Sequence, residues 1–263
     1  MVAVPEGSID HVEDEAFIIV KAAPRVSQAH GETVCIAAID HNGHWVRLYP
    51  VSFRDLSDGQ KFGRWDRISY RWRKPTAAAD RRIESRRVDQ DSIVIKGKMR
   101  DADRHAFLNR AAVTSLKAER EKGLSLAALR CEVIDFWHER QTSEEMERQR
   151  AVYEGMRQQN DFFSQGNLIP REACPFVFKY RYRDDDGVHV GTCQDWETEA
   201  TFLRRRGEMR SEAAALDWMV QKFGVEFPRE GMALAMGTHR YREDQWLING
   251  VLRMNQTQQM SLL

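Results

Sequence analysis

The 263-residue sequence contains no C-x-x-C pair, and its four cysteines, Cys35, Cys131, Cys174 and Cys193, stand far apart. That spacing excludes a zinc finger or ribbon and argues against a disulfide framework in a chain of this size. No apolar run approaches the ~20 residues that cross a bilayer, so no membrane association is expected. The opening residues, MVAVPEGSIDHVEDEAF, are acidic and lack a basic segment followed by an apolar core, so the expected location is cytoplasmic. There is no GxxxxGK loop, no GxGxxG turn and no GxSxG elbow, hence no phosphate-cradling loop and no nucleophile of the hydrolase type. Net charge is also missing: 40 basic residues balance 40 acidic ones. A generally cationic binder is excluded, although a local basic patch is not.

What is present is enough for a sizeable core: 42% hydrophobic residues, with 12 Phe, 7 Trp and 6 Tyr. The organising stretch runs from Gly31 to Lys74. Thr33 to Asp40 is rich in β-formers and ends at His41-Asn42-Gly43-His44, where Asn-Gly suits a tight hairpin turn. Trp45 to Val51 follows as the partner strand, with Val46 and Leu48 on one face and Trp45, Arg47 and Tyr49 on the other. Pro50 suggests that this strand lies at an edge. Arg67 to Arg73 alternates again, placing Ile68, Tyr70 and Trp72 on one side and Arg67, Ser69, Arg71 and Arg73 on the other. Between Gly43 and Arg87 stand twelve basic and five acidic residues, a local excess of seven within a neutral chain.

Elsewhere the pattern predicts a loose lead-in from Met1 to Ala16, strands at Phe17–Val20 and Ser92–Lys96, and a single helix from Asp101 to Lys122 capped by Gly123. A further strand is expected over Cys131–His138. Thr142 and Glu145 form a capping box for a helix reaching Asn160. A break marked by Gly166, Pro170 and Pro175 follows. Phe176, Phe178, Tyr180 and Tyr182 then alternate with Val177, Lys179, Arg181 and Arg183, and Asp184 to Gly187 is a turn into a return strand. Two helices, the second capped by Ser211, precede a closing hairpin, Met232–Thr238 with Trp246–Met254. The expected fold is α+β: a β-rich, barrel-like part over residues 1–165, connected through helices to a smaller C-terminal α/β part over residues 166–263.

The words GETVCIAAID, WVRLYPVSFRDL, PFVFKYRYR and QDWETEATF, in that order, resemble a group of uncharacterised bacterial proteins. The resemblance covers most of the chain and carries no activity, though it suggests a bacterial defence or mobile-element setting. Some members carry cysteines where this chain has RDDDGVHV, so no zinc site is carried over.

Three functions are open at this level. The first is binding of DNA or RNA. Arg47, Arg67, Arg71, Arg73, Lys179, Arg181 and Arg183 would meet phosphates, and Trp45 and Tyr49 would stack on bases. The second is a metal-dependent phosphodiesterase or nuclease. His189, Asp195 and Glu199 would hold Mg²⁺ or Mn²⁺, the one case in which a cofactor is expected. The spacing Thr192-x-x-Asp195 also reads as a helix cap, which explains Asp195 without catalysis. The third is a module that docks an acidic protein partner on the basic strand faces.

Overall fold

The computed structural model describes residues 11–21, 25–27, 31–51, 56–148, 150–151, 173–239 and 242–254. Its first part is a closed barrel. The strands are β1 (Val12–Lys21), a short β2 (Arg25–Ser27), β3 (Gly31–Asp40), β4 (Trp45–Val51), β5 (Asp66–Arg73) and β6 (Ser85–Lys98). Around the barrel the order is β1-β3-β4-β6-β5, and β5 returns to β1; β2 is an appendage on β3. Every pairing is antiparallel except that of β4 with β6. This is the Greek-key connectivity of an oligonucleotide/oligosaccharide-binding (OB) barrel.

Alternation builds the barrel as the sequence implies. Ile18, Ile36, Ala38, Val46, Leu48, Ile68, Tyr70 and Val88 point inward and form one buried cluster with Phe62. Each fully buried aliphatic or aromatic side chain contributes about 1.5–3 kcal/mol, so Leu48→Ala is expected to cost about 2–5 kcal/mol. The β3–β4 turn forms at the predicted residues. Gly43 takes φ +86°, and Asp40 Oδ1 accepts the backbone N–H groups of Asn42 and His44, both at 2.9 Å. Two expectations are corrected. β4 is interior, because Pro50 follows the last residue that pairs with β6, Tyr49, and so its missing N–H removes no ladder bond there. The predicted lead-in is already strand from Val12, since β5 offers it a partner from Trp72 to Arg67; residues 1–10 lie outside the described residues.

The second part is a seven-stranded sheet with the order β7-β8-β12-β13-β11-β10-β9. Its strands are β7 (Ala112–Val113), β8 (Leu126–Leu129), β9 (Glu132–Arg140), β10 (Phe176–Asp184), β11 (Gly187–Cys193), β12 (Met232–His239) and β13 (Arg242–Arg253). The sheet therefore takes strands from both sides of residue 165. Two helices lead into it, α1 (Asp101–Ala111) and α2 (Leu116–Glu121). The single helix predicted across this region is broken because Ala112 turns extended to pair with β8, and Ser115 then caps a new helix by accepting the N–H of Ala118. The capping box at Thr142 forms as read, with Glu145 N–H on Thr142 Oγ1 and Thr142 N–H on Glu145. The remainder of that predicted helix beyond 151, and the Gly166–Pro170 break, lie outside the described residues.

β12 explains how the layers stack. Leu234 and Met236 face helices α3 (Trp196–Met209) and α4 (Glu212–Met219) in a cluster with Phe178, Phe202 and Met219. Ala233 and Ala235 face the barrel, in a cluster with Ile19, Val20, Ala37, Ile39, Leu108, Leu126 and Leu252. The small residues permit close approach, as at Gly250, where a Cβ would lie 2.9 Å from a Val20 methyl. The sheet is thus sandwiched between barrel and helices, and it covers part of the outer face of β3 and β4.

Candidate nucleic-acid interface

The arginines and lysines of the two alternating strands do not form faces of one sign once their neighbours are in place. Arg71 is directly opposite Asp89 and pairs with it at 2.6 Å. Arg183 is opposite Glu132 and pairs at 2.7 Å. Lys179 pairs with Glu139 at 2.6 Å, and Arg67 lies 3.8 Å from Glu15. Arg181 sits over the Trp137 ring, 6.0 Å from its centroid. The expectation of a one-sign basic face is therefore corrected for β10 and for most of β5: adjacent strands supply the carboxylates, and such exposed pairs contribute only a few tenths of a kcal/mol to about 1 kcal/mol each.

Arg47 and Trp45 are taken into the junction between barrel and sheet. Arg47 is 5% exposed, and its Nη2 donates to the carbonyl and hydroxyl of Ser125, both at 3.2 Å. Buried Glu84 holds the same serine, accepting its N–H and, at 3.0 Å, its hydroxyl, and also accepts the N–H of Leu126. Trp45 packs against the shared apolar cluster. Neither side chain faces solvent in the way the strand alternation alone implies, because the second sheet covers that part of β4.

One row of the barrel keeps its charge. Arg73 of β5 lies directly opposite Arg87 of β6, and Arg87 lies opposite Tyr49 of β4. Paired residues share a face, so Tyr49, Arg87 and Arg73 form a row across three strands, all half-buried. Among the described residues neither Arg73 nor Arg87 makes an ion pair with a carboxylate. Like charges placed directly opposite oppose pairing by about 0.2–1 kcal/mol. Arg86, the neighbour of Arg87, stacks on Trp72 at 3.9 Å, and Lys74 and Arg81 are exposed on the loop joining β5 to β6.

That loop is pinned. Asp80 accepts bonds from Arg82 Nε at 2.9 Å and Nη2 at 2.6 Å, and from the Ser85 hydroxyl at 2.8 Å, while Arg82 Nη1 donates to the Thr238 carbonyl of β12 at 3.0 Å. Burial raises the Asp80 pKa, but the hydrogen bonds and charge of Arg82 outweigh it and hold the carboxyl below its usual value. The loop is thereby fastened to the second sheet with its outer basic residues still accessible.

The three residues considered for metal chemistry are not gathered. His189 Nε2 is 2.9 Å from Asp184 Oδ1 on the β10–β11 hairpin. Asp195 is 2% exposed and caps α3, accepting the Glu197 N–H at 3.0 Å, the Val251 N–H at 3.2 Å and the Thr198 hydroxyl at 3.3 Å. Burial pushes its carboxyl pKa up, against the pull of the Arg64 guanidinium. The cap is Asp195 itself and not Thr192. Glu199 is half-buried in the first turn of the helix, its N–H on the Asp195 carbonyl at 3.3 Å. Among the described residues no group of three or more His, Cys, Asp and Glu side chains is placed to hold a metal ion. Burial pushes the Cys131 and Cys193 thiols up to about 12, far from a reactive thiolate.

The chain thus combines a closed β-barrel with an α+β part whose sheet packs one face against the barrel. The chain belongs to the family described as Domain of unknown function (DUF8757), whose model matches residues 109–263; a second model, Domain of unknown function (DUF8758), matches residues 12–114. The search of curated proteins returns no match. Among solved structures, the chain is similar to one from "Structure and Conformational Change of a Replication Protein A Heterotrimer Bound to ssDNA", at 9% identity and a TM-score of 0.25, over 97% of this chain and 68% of that one. A likeness of that size carries no weight for fold or ligand. No helix of the described residues is long and apolar enough to cross a membrane.

Proposed function

We propose that the protein binds DNA or RNA at the end of its barrel formed by Tyr49, Arg73 and Arg87, with Lys74 and Arg81 on the adjoining loop as further phosphate contacts. The observation that carries this reading is the Arg73–Arg87 pair, two arginines directly opposite each other in register, neither of which makes an ion pair with a carboxylate among the described residues. Elsewhere on the paired strands Arg71, Arg183 and Lys179 each have an acidic partner, which is what stability alone favours. A phosphate between Arg73 and Arg87 would relieve their repulsion and accept charge-assisted bonds from both.

The location suits the barrel. OB barrels take oligonucleotides on their second and third strands and on the loops after the first and fourth. Here those strands are β3 and β4. Part of their outer face lies under the second sheet, which leaves the Tyr49 end and the β5–β6 loop as the accessible portion. The metal-dependent nuclease reading gains no support, because Asp195 and His189 are already engaged in separate places.

The test is fluorescence anisotropy with labelled DNA and RNA oligonucleotides at low and moderate salt, comparing wild type with an Arg73→Ala/Arg87→Ala double variant and an Arg71→Ala/Arg183→Ala control. Loss of affinity confined to the first double variant supports the site. Equal loss in both, or undiminished binding in the first, removes it.

A further inference from the structure

The chemistry of the row specifies the form of the nucleic acid. We infer that the site takes a single strand in preference to a duplex, with one base laid against Tyr49 and the flanking phosphates on Arg87 and Arg73; this rests on the nucleic-acid reading above.

Three features lead there. First, the row mixes an aromatic ring with the guanidinium groups. A duplex presents phosphates, but the faces of its bases are stacked on one another. Only an unstacked base can lie on an aromatic side chain. Second, the loop joining β5 to β6 carries Ile83, 53% exposed, among its basic residues, and the Ile83 carbonyl accepts a bond from Arg86 Nη1 at 3.2 Å. An exposed apolar side chain gains nothing from phosphate oxygens, whereas it can pack against a base or sugar. Third, the row is short. Adjacent strands lie ~4.8 Å apart, so Tyr49, Arg87 and Arg73 together span only about 10 Å. That is room for a brief run of one strand. The second sheet, fastened to the loop through Arg82 and the Thr238 carbonyl, stands at one side of it.

The experiment uses the full chain, a fluorescein-labelled thymidine oligonucleotide of about 12 nucleotides and a duplex of the same length, titrated at one low salt concentration. Wild type is expected to bind the single strand at least about tenfold more tightly than the duplex. Tyr49→Leu should weaken single-strand binding about ten- to a hundredfold, while Tyr49→Phe, which keeps the ring, should restore the wild-type value. Tyr49→Phe also separates a stacking role from a loss of folding. Duplex binding as tight as single-strand binding, or a Tyr49→Leu variant that behaves as wild type, overturns the inference and leaves the phosphate site standing if Arg73 and Arg87 are still required. Absence of binding to either polymer removes the underlying reading as well.

Discussion

Arg73 and Arg87 occupy directly opposed positions on antiparallel β5 and β6, two residues along from Arg71 and Asp89, which occupy the equivalent positions as an ion pair at 2.6 Å. The two rungs share a ladder and a face and differ only in the sign of one partner. Stability alone would place an acid at residue 87.

Arg87→Glu is therefore expected to stabilise the fold, by up to about 1 kcal/mol, while abolishing nucleic-acid binding. Urea denaturation followed by tryptophan fluorescence gives the first quantity and anisotropy the second. A variant that is both less stable and still able to bind would contradict the assignment of Arg87 to a ligand.

Asp195→Ala removes a helix cap and leaves the buried N–H of Val251 without its acceptor, so a loss of about 2–4 kcal/mol is expected. Oligonucleotide binding by the folded fraction should be unchanged. Mg²⁺ or Mn²⁺ should leave the wild-type melting temperature where it is, since a ligand that bound the folded state would raise it. A metal-dependent shift lost in Asp195→Ala would restore the nuclease reading.

Glu84→Ala strips the buried acceptor from the Ser125 and Leu126 N–H groups, at a cost of about 2–4 kcal/mol. Because these residues join barrel to sheet, the two parts should still unfold in one transition, at a lower urea midpoint. Two separated transitions in the wild-type protein would contradict the shared core formed by Ile19, Ile39, Ala235 and Leu252.

Asp80 gives a dependence on pH. Its folded pKa lies below the ordinary carboxylate value, so the unfolded chain takes up its proton first as the solution is acidified. The stabilisation is fully present above the unfolded pKa and is lost as pH falls through the lower folded one. Asp80→Asn should cost about 1–3 kcal/mol at about pH 7, a difference that persists to about pH 5 and closes as the pH drops below the unfolded value. Urea denaturation across this range measures it, and a difference that grew on acidification would reverse the sign.

The elements of this fold are legible in the sequence where the signal is local. Alternation over Arg67–Arg73 and Phe176–Arg183 identifies β5 and β10, and Asn42-Gly43 places the hairpin. The barrel closure is not legible in the same way, since β1 meets β5 through residues 50 to 60 positions away. The same limit governs the site. Arg47 looks like a solvent-facing cation beside Tyr49, but its partner Ser125 lies 78 residues further on. Lys179 and Arg183 look unopposed until β9 brings Glu139 and Glu132 beside them. Arg73 and Tyr49 are candidates on sequence grounds. Arg87, counted in the local basic excess between Gly43 and Arg87, gains its place in the site only from register. The helix break at Ala112 is hidden because alanine suits a helix and its competing partner, Ala128, is remote.

The most direct measurement is the salt dependence of single-strand binding, log K against log salt, for wild type and for the Arg73→Ala/Arg87→Ala double variant. Each phosphate contact on a single strand contributes about −0.7 to that slope. Removal of two contacts should make the slope shallower by about 1.4, with weaker binding throughout. An unchanged slope would mean that Arg73 and Arg87 touch no phosphate, and would contradict the site.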